Sequence, residues 1–569
     1  MKEVIFPMRL KLTGAKRAWL TGIVTATALW LFLAAFADVY FSANDDQFLL
    51  RTFTGGAPAG ASTFHLYIHA MYAFPLSWLN RLFPGVAWVS ILEIALLWLS
   101  TATIVKSIIQ CFENHCKAHA FLKGAFFALC FTLLFLFYLC ARPTYTIVAA
   151  SLSAACVAQL LSVDCQNASD RQIIRSMLYS LILLVLCYGL RQMTALPALA
   201  FCGVAFLYRL VTVKRIAKPL LTVLVCVAVV MGGLAIAREA EITLRDQRDY
   251  LAWQQARISV LDYITLENLS DEARETIGWS DAQVTLLDNW YTMEEAVSTE
   301  AFQYVRQNEY NAQTRTTPGA AILDFRTRSP WIAFSLVVLF GVGAACVLGL
   351  AMRRKGLWTF LTLLAAACGC LMLLAYLAMQ GRLPYRAVMV PVLPAAALVF
   401  CLLPECLPEE QRWFTPLVCL LLALGTAVYI VPSAQIVRAR EQTWDYNTHA
   451  AMDQIALQNS DLLFIYSNEL VNDMRMFPDF SSGIPHNLMF WGGWQRGSPE
   501  YVSKLEAFGL ESEHFAPEDW LKPELRFLTL ADEPHPVLVE HLKEKLGDNL
   551  CWEQEKMDIA LYAYRFYLK

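Results

Sequence analysis

Two adjacent carboxylates, Asp45 and Asp46 in FSANDDQFLLRTFTGGAPAG (Phe41–Gly60), stand just past a long apolar run. A carboxylate in such a place can take a proton from an incoming hydroxyl, help hold a metal, or simply be solvated. Four arginines stand where other apolar runs end: Arg142 in CARPTYT, Arg191 in YGLRQMT, and Arg382 and Arg386 in GRLPYR. The arginine fork binds phosphate oxygens bidentately, and Pro384 stiffens the backbone between two of these forks. Snorkelling to the headgroups accounts for any single one of them. Four together make a candidate clamp for a lipid phosphate.

The elements that must position these groups are membrane helices. Of 569 residues, 57% are hydrophobic and 17% charged, against roughly 25% charged in a soluble domain. About 20 apolar residues cross a bilayer. Eleven runs qualify, at about 18–37, 86–105, 121–140, 146–163, 177–190, 193–208, 219–237, 330–351, 357–379, 386–403 and 413–432.

Basic residues recur in every second loop: Lys11, Lys16 and Arg17; Lys106, Lys117 and Lys123; Arg171 and Arg175; Arg209, Lys214, Arg215 and Lys218; Arg353, Arg354 and Lys355. This alternation predicts a cell-membrane, multi-pass protein with a cytoplasmic N-terminus and an extracytoplasmic C-terminus. All four clamp arginines then lie on the outer side, where that rule disfavours them. LAAFA, ending at Ala37, resembles a signal-peptide cleavage site, but the apolar run exceeds the usual core of about 7–15 residues and favours an uncleaved span. Both readings put Asp45 and Asp46 outside.

FHLYIHAMYAFPLSWLNRLF (Phe64–Phe83) reads as an amphipathic helix on the outer surface, because counting it as a span inverts every later loop. The transmembrane module, 1–432, thus carries a first outer loop at 38–85 and a large helical outer loop at 238–329, in which Ser280 is a capping signal. Residues 433–569 read as a small extracytoplasmic α/β domain with strands at Asp461–Ser467, Arg526–Ala531 and Ile559–Leu568.

Other polar groups are weaker candidates. Trp491 and Trp494 flank a Gly-Gly turn and offer flat faces to a sugar ring, or else pack the domain. His65 and His69 stand one helical turn apart, a metal-ligand spacing that also suits a polar surface or contact with sugar or acceptor. Arg257 and Asp262 are expected to pair across the large loop. CFENHC (Cys111–Cys116) lacks the four closed ligands of a structural zinc. The sixteen cysteines avoid the polar regions except for Cys551, so no disulfide framework is implied. A formal net charge of -4 with no basic block excludes a nucleic-acid partner.

An outward cavity with a carboxylate and phosphate-binding arginines suits glycosyl transfer: the carboxylate deprotonates an acceptor hydroxyl, and the arginines stabilise the departing lipid phosphate. One Asp suffices, so the other can orient it, hold a metal or cap the helix QFLLRTF.

The layout resembles the GT-C superfamily of membrane glycosyltransferases, with an acidic first outer loop directly after the first span, surface helices, many spans and an outer C-terminal domain. NDDQFLL, GLRQMTALP, ARISVLDY, GWSDAQVTLLDNW, GRLPYR and WGGWQRGSPEY are similar to uncharacterised multispanning proteins of Gram-positive bacteria assigned to that superfamily. The resemblance implies a polyprenyl-phosphate or diphosphate sugar donor, a cell-envelope glycan or lipid acceptor, Asp45 or Asp46 as catalytic acid-base group, and Arg191, Arg382 and Arg386 as lipid-phosphate contacts. Several members carry a second acid in a later outer loop. Here Glu239, Glu241, Asp246, Asp249 and Asp262 all qualify, which leaves a divalent metal open.

The rival readings are a transporter or flippase of an envelope polysaccharide precursor and an envelope scaffold protein. A transporter places ionisable groups along its midplane helices, whereas these spans are nearly free of them apart from Glu93.

Overall fold

A computed structural model describes residues 14–37, 39–116, 118–165, 168–213, 217–266, 269–309, 317–353, 356–408, 411, 413–439, 447–471, 474–511 and 515–569. Lys11, Lys117, Lys214, Arg215, Arg354 and Lys355, part of the orientation pattern, lie outside the described residues. Among the described residues 11 helices are long and apolar enough to cross a membrane: Gly14–Phe36, Trp88–His115, Ala120–Ala141, Tyr145–Ser162, Asp170–Leu190, Gln192–Thr212, Lys218–Leu244, Pro330–Arg353, Leu357–Met379, Tyr385–Cys406 and Phe414–Gln435. We number them as the first to eleventh spans. The chain is a multi-pass helical membrane protein.

The spans run further than hydropathy alone marks. The second, expected to stop near 105, continues to His115 and carries Lys106 inside the helix, buried, where a basic loop was expected. The fifth starts at Asp170, set by a capping box in which Ser169 and Gln172 satisfy each other's backbone amides.

At the centre lie the fourth span, YTIVAASLSAACVAQLLS, and the tenth, packed along each other and against the second and sixth. Alanine, serine and cysteine let helix backbones approach closely where lipid supplies no hydrophobic driving force. The first span meets the second on the same principle: a Cβ at Gly22 would come within 2.3 Å of the Ala102 carbonyl oxygen.

Beyond the first span, the helix Asn44–Thr54 ends at Gly55 in the left-handed region. The segment expected as one helix over Phe64–Phe83 is helical only from Ala70 to Leu82. The His69 ring caps this helix by accepting the Met71 amide. Residues 64–69 are instead a loop, held where Arg238 donates to the His65 and Leu66 carbonyls, each at 2.9 Å. In the large loop, helices Arg248–Leu261, Asp271–Ile277, Asp281–Asp288 and Thr299–Glu309 enclose a core including Trp253, Val260, Trp279 and Phe302. Ser280 caps the third of them by accepting the Gln283 amide.

The C-terminal part is a 5-stranded sheet, β1 (Leu463–Tyr466), β2 (Leu488–Phe490), β3 (Leu525–Thr529), β4 (Leu550–Lys556) and β5 (Tyr562–Leu568), in the order β2-β1-β3-β5-β4. β1 pairs in parallel with β2 and β3, and β5 runs antiparallel between β3 and β4. The three expected strands are β1, β3 and β5; β2 and β4 were not anticipated. Phe48 from the first loop and Leu286, Tyr291 and Met293 from the large loop enter this domain's core. The three polar regions therefore interlock on one face of the bundle.

Candidate active site

Asp45 and Asp46 sit in the first turn of Asn44–Thr54, and the docking of that helix fixes where they point. Arg51 donates to Asp453 at 2.7 Å. Thr52 bonds to Glu500, which pairs with Lys504 at 3.0 Å. Upstream, Phe41 N donates to the Met474 carbonyl at 2.9 Å, tying the entering strand to the C-terminal domain.

The two carboxylates meet different surroundings. Asp45 keeps a side-chain exposure of 17% and accepts two contacts: Arg386 Nη1 at 3.0 Å from Oδ2, and Trp494 Nε1 at 3.1 Å from Oδ1. Burial pushes its carboxyl up, but Arg386, Arg191, the Trp494 N–H and Arg382 together outweigh it and hold the group below the usual carboxylate range.

Asp46 is fully buried. Its Oδ1 accepts the Tyr145 amide at 2.7 Å, so it caps the fourth span rather than the helix QFLLRTF in which it lies. Its carboxyl lies beside that of Glu93, and Asp46 Oδ2 and both Glu93 oxygens are buried without a hydrogen-bond partner among the described residues. Burial, reinforced by the neighbouring Asp45 charge, pushes Asp46 up to about 7 despite the Tyr145 amide.

Three arginines gather around Asp45. Arg386 stands at the start of the tenth span, just after the Gly381–Pro384 turn. Arg382, in that turn, pairs with Asp262 at 2.8 Å. Arg191, between the fifth and sixth spans, donates to the Tyr145 hydroxyl at 2.6 Å and to Thr146 Oγ1 at 2.7 Å. Its guanidinium lies 5.6 Å from the Tyr67 ring centroid and 5.1 Å from that of Tyr145. Arg142 is apart from them. It is buried, donates to its neighbour's carbonyl at Ala141, and lies over the Tyr40 ring.

The aromatic and histidine candidates separate in the same way. Trp494 touches Asp45 directly, and its ring meets His65, Tyr67 and Phe48. Trp491 is wholly buried, stacked on Phe527 and bonded to the Asn289 carbonyl, with no face open to a ligand. His65 Nδ1 accepts the Tyr67 and Ile68 amides. Burial, then the Arg238 charge, holds its ring down to about 3, so it stays neutral. His69 caps its helix through Nδ1 and bonds through Nε2 to the Leu234 carbonyl.

Among the described residues no group of three or more His, Cys, Asp and Glu side chains is arranged to hold a metal ion. Arg257 does not take Asp262 as its partner. It donates to Gln254 and lies over the Trp290 ring, while Asp262 goes to Arg382.

Sequence reasoning gave no site role to Tyr67 or Tyr145, which stack at 21° beside Arg191. Their signal was present in the tyrosines next to Arg142 and in the 64–83 segment, but only the tertiary fold brings them to one place. Burial pushes the Tyr67 phenol up, and the charges of Arg257, Asp45, Arg191 and Asp262 all act on it.

No protein-family model matches the chain, and no curated protein matches it. Among solved structures, it resembles ArnT from Cupriavidus metallidurans in the apo state, with 12% identity and a TM-score of 0.43 over 97% of this chain and 98% of that one. It also resembles the same protein bound to undecaprenyl phosphate, with 11% identity and a TM-score of 0.42 over 96% and 97% of the two chains.

Proposed function

We propose that the protein is a membrane glycosyltransferase of GT-C type. It moves a sugar from a polyprenyl-phosphate or diphosphate donor to a cell-envelope glycan or lipid, on the extracytoplasmic face. The observation that carries the reading is the difference between the two acids. Asp45 is partly open, ionised and ringed by Arg386, Arg382 and Arg191; Asp46 is sealed against Tyr145 and Glu93.

Asp45 accepts the proton of the acceptor hydroxyl while that oxygen attacks the anomeric carbon. The bond from the anomeric carbon to the phosphate oxygen breaks, and the lipid phosphate leaves with the electron pair, its charge met by the arginine forks. In the free protein those arginines also weaken Asp45 as a base. When a donor phosphate shares them, the carboxylate's attraction for a proton rises, so the base gains strength as the leaving group is seated. Trp494 holds Oδ1, leaving Oδ2, now paired with Arg386, as the oxygen that takes the proton.

The test is transfer from labelled polyprenyl-phosphate sugars by the reconstituted protein. Wild type should consume donor, and Asp45→Asn should not. Loss of transfer in Arg386→Ala with full activity in Asp45→Asn overturns the assignment of the base. Movement of a lipid-linked glycan across the vesicle with no donor consumed overturns the enzyme reading in favour of a transporter.

A further inference from the structure

A large cavity lies at the other end of the bundle. About 1050 Å³ in volume, it lies where the first, third and fifth spans begin and the second and fourth end, and it opens on the membrane face opposite Asp45. Its polar wall holds Lys106, Gln159, Ser162, Gln172 and Ser176, with Arg17 and Arg175 at its rim.

Lys106 is 4% exposed and meets only neutral acceptors: Gln159 Oε1 at 2.6 Å and Ser162 Oγ at 3.2 Å. Its ammonium also lies 5.5 Å from the Trp19 ring centroid. Among the described residues no carboxylate reaches it, and one of its three N–H groups has no acceptor. Two acids line the same cavity: Glu113, which is taken by Arg17, and Asp164, which makes no ion pair with Lys106. A buried cation without a counter-ion is costly at membrane depth, and an anion entering the cavity would remove that cost.

We infer that this cavity is a second binding site, for a phosphate group, with Lys106 as the buried donor and Arg175 at its mouth. The volume far exceeds a bare ion. Trp19, Phe121 and the exposed Leu122 on the same wall give an apolar flank that suits the acyl chains of a phospholipid. The site is independent of the reaction proposed at Asp45.

Full-length protein in phosphatidylcholine nanodiscs doped with phosphatidic acid tests it, with retained lipid counted by native mass spectrometry. Wild type should keep phosphatidic acid over phosphatidylcholine. Lys106→Met, a neutral side chain of similar length, should bind it about tenfold more weakly, and Lys106→Arg should restore binding. Arg175→Gln at the rim should weaken binding while disturbing no packing, and it carries the comparison if Lys106→Met does not fold. In detergent, inorganic phosphate that raises the unfolding temperature of wild type but not of Lys106→Met identifies free phosphate as a ligand. Retention of lipid without that effect identifies the headgroup. If wild type shows no preference and no response to phosphate, or if Lys106→Met and Arg175→Gln both bind as wild type does, the inference is overturned.

Discussion

Arg386 Nη1 lies 3.0 Å from Asp45 Oδ2, while the next residue in the chain, Asp46, places Oδ1 2.7 Å from the Tyr145 amide. Each helical step turns a side chain by about 100°, so neighbouring acids on one helix need not share an environment. Here the first faces the arginines and the second faces the protein interior.

That division predicts opposite outcomes for two conservative changes. Asp45→Asn removes the proton acceptor and should lower kcat by about 10²–10⁴-fold, the usual worth of a positioned general base. Asp46→Asn keeps an oxygen for the Tyr145 amide and offers an N–H to Glu93, so transfer should stay within about threefold of wild type. Rates with a labelled donor check both. A large loss in Asp46→Asn alone would falsify the assignment.

Stability should carry the signature of Asp46. Its carboxyl is raised from 3.8 to about 7, so between those values the folded chain holds a proton that the unfolded chain has released. A raised carboxyl contributes stability that is complete below the unfolded value and is lost as pH rises through the folded one. Wild type should therefore lose unfolding temperature between about pH 4 and about pH 7 relative to Asp46→Asn, which has no proton to lose at that position. Thermal unfolding in detergent at the two pH values gives the comparison. Equal slopes for the two proteins remove the raised carboxyl.

The arginines should divide by partner. Among the described residues Arg386 is ion-paired with Asp45, whereas Arg382 is held by Asp262 of the large loop. Arg386→Ala should cost about 10²–10³-fold in kcat/KM, as loss of a charged donor to a leaving group does. Asp262→Asn leaves Arg382 present but loosely held and should cost roughly tenfold, mostly in KM for the donor. Steady-state kinetics against donor concentration separates the two. Equal losses in kcat would place Asp262 in the chemistry itself.

Much of this was readable in the chain. Eleven apolar runs gave eleven spans, because length and hydropathy suffice where every backbone group must bond within its own helix. Asp45, Arg191, Arg382 and Arg386 could be picked out by type and position at the ends of those runs. What stayed hidden depends on contacts far apart in sequence. Nothing in NDDQ says that Asp46 caps a helix 99 residues away, or that Arg382 and not Arg257 takes Asp262. Lys106 read as a loop cation because hydropathy falls there, although the helix continues and buries it. The strands β2 and β4 were missed for different reasons: β2 has three residues, and β4 is mostly exposed, with a charged and polar second half.

The aim of Trp494 depends on a backbone that only glycine allows. Gly492 has φ 147°, and a Cβ there would stand 2.5 Å from the Thr292 amide nitrogen. It forms an antiparallel bridge with Tyr291, and Gly493 N donates to the Trp290 carbonyl at 3.1 Å. The large loop and the C-terminal domain are thereby joined immediately before the turn that carries Trp494 to Asp45. Gly492→Ala should force the two segments apart and withdraw the indole N–H from Oδ1. Removing that donor raises Asp45 toward the ordinary carboxylate range, so the acid limb of the pH–rate profile should move to higher pH. Trp494→Phe should move the limb in the same direction while leaving the 290–293 bridge intact. A profile that shifts in Gly492→Ala but not in Trp494→Phe would show that the turn positions something other than the indole.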